Sequence, residues 1–145
     1  MVYEYMGKIL RVNLVEEKIS IESLPLEDIL RKWLEGRGID TYYIIKKVIP
    51  NIDPLSPENK LIIATGPVIG IPTAGRWSIV TKSRIKNTIY EGNAGGKFGA
   101  ELKFSCFDFI IIEEKANNPL YSWIYNGKVE IIDARHLWKK PFIRL

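Results

Sequence analysis

Apolar and polar positions alternate near both ends of the chain and lose that alternation in the middle. Leu10, Val12 and Leu14 are separated by polar neighbours, the period-two pattern of a half-buried strand. Residues 18–23 repeat it through Ile19 and Ile21, and the short link Val15-Glu16-Glu17 makes the two a hairpin. Residues 26–35 change period: Ile29, Leu30, Trp33 and Leu34 fall on one helical face. Pro25 is placed to open this helix and Gly36 to end it, with Glu27 and Asp28 early and Arg31 and Lys32 late. Residues 42–48 fit either a helix or a strand.

Pro50, Pro54 and Pro57 then mark an irregular loop. Residues 60–65 read as a buried strand, and Gly66, Pro67, Gly70, Pro72 and Gly75 as loop. Strands are expected at 77–82 and 88–91, a glycine-rich turn at 92–96, a short helix at 99–104 and an apolar strand at 107–112. Residues 120–125 and 128–132 flank Asn126-Gly127, a strong hairpin signal. Asp133 is placed to cap a last turn holding His136 and Trp138. The pattern predicts a single α+β domain over residues 1–145, with mostly antiparallel strands and one short helix in each half. Hairpin-then-helix early and helix-then-hairpin late leave an internal duplication open.

Composition changes this picture little. With 145 residues, 46% apolar and 26% charged, the chain can bury a core without disulfides or a structural metal. No apolar run reaches membrane-spanning length and the N-terminus lacks signal-peptide character, so a cytoplasmic protein is expected. The net charge of +4 and pI of about 9.1 bring an anionic partner into consideration, but Lys and Arg interleaved with Glu and Asp read first as a mixed solvated surface. Dispersed charges and the lack of a module signature set nucleic acid aside. Abundant Ile and Lys with no Gln lean towards a thermophile.

Three segments carry candidate chemistry. In residues 92–99 (Gly-Asn-Ala-Gly-Gly-Lys-Phe-Gly), the glycines allow close backbone approach to a ligand, and amides at a helix start suit phosphate. A tight turn feeding a helix is the alternative. The segment fits neither the Walker nor the dinucleotide spacing. In Ala74-Gly75-Arg76-Trp77-Ser78, Arg76 precedes a strand that could aim its planar fork at a phosphate or a ring edge, or it is a plain surface arginine. Glu35-Gly36-Arg37-Gly38 reads as a helix stop, with an anion nest as the alternative.

One histidine and one cysteine exclude a Cys/His zinc site and an iron–sulfur cluster held by this chain alone. Cys106, beside Phe104 and Phe107, reads as a core thiol. The Tyr and Trp residues lie at strand spacing and read as core. With His136 terminal, no catalytic triad is expected.

In order along the chain, several segments resemble the N-terminal domain of tungsten-containing aldehyde ferredoxin oxidoreductases. They are residues 7–14, residues 30–38 (Glu35 replacing a usual glycine), residues 53–59, Ala64-Thr65-Gly66-Pro67, residues 92–96 with 98–104, and residues 128–138. The resemblance implies an α+β base for a bis-pterin cofactor holding tungsten or molybdenum. In it, Arg76 contacts the pterin, and the Asn93 main-chain carbonyl binds a magnesium ion bridging the pterin phosphates. Ala94, Gly95 and Gly96 line the cofactor. The family's reaction is aldehyde oxidation to the carboxylic acid, with electrons passed to ferredoxin. Cluster cysteines and substrate pocket belong to later domains, and Cys106 stands where the family carries a small residue. The chain is therefore expected to be inactive alone, with a second polypeptide supplying the rest. The alternative is a non-catalytic remnant, or a stand-alone binding module that forms homo-oligomers. Residues 139–143 look unlike the family's usual continuation, and Arg144-Leu145 stand where the family would continue.

Overall fold

The computed structural model describes residues 5–25, 27–33, 35–71 and 75–140. Leu26, Leu34, Pro72, Ala74 and residues 141–145, which figure in the expectations above, lie outside them. The chain runs β1 (Lys8–Asn13), β2 (Lys18–Ser23), α1 (Glu27–Lys32), α2 (Glu35–Lys47), β3 (Lys60–Thr65), β4 (Trp77–Lys82), β5 (Ile89–Ala94), α3 (Phe98–Phe104), β6 (Phe109–Glu113), β7 (Leu120–Tyr125) and β8 (Lys128–Asp133).

Six strands form one sheet in the order β2-β1-β6-β3-β4-β5. Only β1 and β6 pair in parallel; the other ladders of this sheet are antiparallel. The β7–β8 hairpin is a separate two-stranded sheet, turning at Asn126-Gly127 with both residues at positive φ. The expected α+β class and mostly antiparallel pairing hold. The first half, however, carries two helices rather than one.

Both faces of the large sheet are covered. Under the α1–α2 side lie Ile9, Ile39, Tyr43, Ile44, Ile62, Val80, Phe109 and Ile111. On the opposite face Leu10, Val12, Leu102, Phe107 and Ile110 pack under the hairpin residues Ile124, Val129 and Ile131. Strand β1 is thus buried on both faces, with Ile9 as enclosed as Leu10, and not half-buried as its alternation suggested. An interior parallel neighbour explains the difference.

Helix α2 corrects the expected stop at Gly36. The helix includes Gly36 and Gly38 and settles residues 42–47 as helical. A Cβ on Gly36 would meet Ser78 Oγ at 2.9 Å and the Ala64 carbonyl at 3.0 Å; one on Gly38 would meet the Trp33 backbone at 2.9 Å. These glycines let the helix seat on the sheet and close against α1.

Helix α3 ends in a hydrogen-bond pattern that also corrects the reading of Cys106. Cys106 N–H donates to Lys103 O (2.8 Å) and Phe107 N–H to Leu102 O (3.2 Å), with Cys106 at φ +68°. The turn drives Phe107 into the core and leaves Cys106 exposed. The aromatic residues divide as well. Trp33, Tyr42, Tyr43 and Phe109 pack together, whereas Trp123 and Tyr125 stack on the outer face of the hairpin and Trp138 is exposed. Asp133 accepts the Arg135 N–H at 2.8 Å, as its capping place suggested.

Candidate functional site

A cleft of about 340 Å³ opens where α2 begins, where β3 gives way to the 66–69 loop, and where β4 starts. Its walls include Gly36, Arg37, Gly75, Arg76, Ser78 and Asn93. All three segments singled out in the sequence therefore meet at one place. The β3–β4–β5 ladder does the aligning: Ser78 sits opposite Asn93 and Trp77 opposite Ala94.

Arg76, exposed, stands immediately before β4. Gly92, Asn93 and Ala94 belong to β5, which corrects their expected place in a turn. The turn proper is Gly95 and Gly96, the latter at φ +89°. A Cβ on either would meet nothing within 4 Å, so the fold itself leaves open space above them. Gly75 differs, because a Cβ there would lie 3.2 Å from the Gly96 carbonyl. The 75–76 segment and the 95–96 turn thus close against each other and form one rim.

Electrostatics inside the cleft are arranged by two acids. Glu91 Oε1 accepts from Asn93 Nδ2 at 2.6 Å, and Glu91 Oε2 pairs with Arg37 Nε at 2.6 Å. Behind Gly36 and Ser78 lies Asp40, fully buried. Its Oδ1 accepts from Thr41 Oγ1 at 3.3 Å, and its Oδ2 has no hydrogen-bond partner. Burial pushes this carboxyl up to about 6; the Ser78 hydroxyl and Thr41 oppose the rise and Glu91 adds to it. Trp77 Nε1 is a second buried polar atom without a partner, and Trp77 also lines the cleft. Helix α3 begins at Phe98, whose ring lies 4.7 Å from that of Trp77; Lys97 makes no side-chain cap.

Asp40 was not foreseen as a site residue, and Arg37 and Ser78 entered only as members of the candidate segments, Arg37 in the anion-nest alternative. Gly36-Arg37-Gly38 gave a signal, but glycine inside a helix looks the same as glycine after one. Ser78 and Asp40 gave none, since their partners lie on other elements. Among the described residues no group of three or more His, Cys, Asp or Glu could hold a metal, so a metal here would depend on carbonyls or on a ligand. The open space at Gly95 and Gly96 and the exposed guanidinium of Arg76 suit a flat, phosphate-bearing group.

Residues 9–145 match the family model for the aldehyde ferredoxin oxidoreductase N-terminal domain. The chain is 49% identical over 140 residues to a tungsten-containing aldehyde ferredoxin oxidoreductase of Pyrococcus abyssi, covering 95% of this chain and 23% of that protein. It is 41% identical over 146 residues to a Pyrococcus furiosus protein described as an aliphatic sulfonate oxidoreductase, WOR-like subunit, again covering 23% of it. A solved structure of the active-site complex BamBC of benzoyl coenzyme A reductase superposes with a TM-score of 0.88 at 33% identity, over 92% of this chain and 21% of that one. The chain spans about a quarter of the length of these curated relatives. No helix is long and apolar enough to cross a membrane among the described residues. Fold, sequence match and relatives agree that this chain belongs to the aldehyde ferredoxin oxidoreductase family, matching its N-terminal domain.

Proposed function

We propose that the chain forms one wall of a tungstopterin (or molybdopterin) site whose other walls come from further polypeptide, in the same chain or a second one. Arg76 would contact the pterin, the Asn93 main-chain carbonyl would serve as a magnesium ligand, and Ala94, Gly95 and Gly96 would let the cofactor approach the backbone. The observation that carries this reading is the convergence of Arg76, Asn93 and the unfilled glycine rim on one cleft. When bound, the cofactor supplies the redox centre, here for oxidising an aldehyde to an acid in the cytoplasm with electrons leaving to ferredoxin. This chain's residues bind and orient; alone they are inactive, because an open cleft neither excludes water nor carries a redox relay.

The test is purification from the native source under anaerobic conditions, with tungsten, molybdenum and pterin assayed. Metal and pterin are expected in a species containing the remaining oxidoreductase domains. A protein free of cofactor and of those domains overturns the reading. A second reading, a non-catalytic module that self-associates, is favoured by the exposed Ile45, Ile49, Ile85 and Ile89. It requires a concentration-dependent dimer in sedimentation.

A further inference from the structure

Arg37 stands apart from the other exposed arginines. It is carried on the first turn of α2 and lines the cleft with Arg76. Its side chain is 76% exposed, yet its Nε is held 2.6 Å from Glu91, whose side chain is only 15% exposed. Among the described residues, no partner pairs with its two Nη groups. Glu91 is itself fixed by Asn93 Nδ2 through its other oxygen. One carboxylate therefore bridges the α2 arginine and the β5 asparagine at the rim of the site.

We infer that Arg37 is a second phosphate-binding group of this cleft, and that Glu91 is the built-in anion that holds it in place. The inference rests on the proposed cofactor reading and adds a residue to it. An arginine engaged through Nε alone keeps its two-pronged Nη edge for a phosphate, which bidentate pairing suits. A partly exposed ion pair contributes little to folding, so removing the Glu91 charge costs the fold little. The charges around the site are Arg37 and Arg76, the opposing Glu91, and Asp40 behind the floor. Glu91 thus weakens anion binding while it orients Arg37.

That arrangement predicts effects of opposite sign, which a plain structural ion pair does not. The probe is inorganic pyrophosphate, titrated calorimetrically into the full 145-residue chain at low and at moderate salt. R37Q is expected to weaken binding about tenfold, the equivalent of one charge-assisted contact. E91Q is expected to tighten it severalfold, and R135Q, at an exposed pair in the turn after β8, to leave it unchanged. Circular dichroism checks that each variant folds. Equal affinity in wild type and R37Q overturns the inference, as does E91Q weakening binding in step with R37Q, or a wild-type chain that binds no pyrophosphate. A parallel arm uses molybdopterin: a loss in R37Q there as well assigns the phosphate to the cofactor, whereas a loss confined to pyrophosphate assigns it to a free phosphate ligand. Cofactor binding that depends on Arg76 but not on Arg37 leaves the cradle standing and removes this inference alone.

Discussion

Among the described residues two carboxylates, Asp40 and Asp108, are fully buried, and they are treated in opposite ways. Asp108 accepts main-chain hydrogens from Met6 (3.0 Å), Gly7 (2.8 Å) and Lys8 (3.3 Å) and pairs with Lys103 Nζ at 3.0 Å, also buried. Asp40, under the cleft, keeps an oxygen with no partner. Asp108 ties the N-terminal segment to the α3–β6 corner, where an unmet charge would cost several kcal/mol. Asp40 is left incompletely satisfied beside the surface offered to a ligand. The contrast separates a buried carboxylate whose partners hold the fold from one left short of partners beneath the proposed site.

The largest effect that would break this comparison is Asp108→Ala. It takes the carboxylate from Lys103 and the acceptor from three backbone amides, and a loss of about 3–5 kcal/mol is expected in urea unfolding. A loss under 1 kcal/mol would mean that the Asp108 corner is no more structural than the cleft.

The Asp40 side is sharpened by pH. Its folded value is raised from 3.8 to about 6, so the folded chain holds a proton that the unfolded chain has released. Stability from this group is therefore present below about pH 4 and is lost as pH rises through about 6. The two-unit displacement corresponds to roughly 3 kcal/mol at most. Asp40→Asn should remove that slope. The difference between wild-type and variant unfolding free energies, measured at pH 4 and pH 7.5, isolates it from the oppositely shifted carboxylates. Glu113 is one of these: burial works against it, but Arg11 and Lys60 outweigh burial and hold it below the usual range. Parallel pH profiles for wild type and variant would refute the shift.

The smallest effects compare two glycines. Gly36→Ala drives a methyl against the Ala64 carbonyl and Ser78 Oγ, and should cost about 1–3 kcal/mol as helix and sheet are forced apart. Gly95→Ala meets nothing, and should change unfolding by less than about 0.5 kcal/mol while narrowing the cleft. Equal losses at the two sites would show that the glycine rim serves the fold and not a ligand.

Much of the fold was legible where the signal is local. The 60–65 and 77–82 strands have the bounds that their apolar patterns gave, and Asn126-Gly127 turned the hairpin as its φ preferences require. Reading failed where the deciding contact is distant in sequence. Gly36 and Gly38 look like a helix stop until Ser78, Ala64 and Trp33 are brought against them. Cys106 looks like core until α3 ends beneath it. The same limit applied to the site. Arg76 and the 92–96 glycines were marked by residue type and Arg37 by the anion-nest alternative, while the pairing of Arg37 with Glu91, 54 positions away, shows only in the structure.

By itself, then, the amino-acid order determined the strand and hairpin periods, the absence of a Cys/His metal set and the motifs that carry the family resemblance, because each depends on neighbours along the chain. Tertiary structure alone decided that three separate segments share one cleft, that the α2 glycines are packing residues, and that one buried acid is satisfied while the other is not. Those outcomes depend on which surfaces the sheet order brings within hydrogen-bonding distance, and no local pattern encodes that.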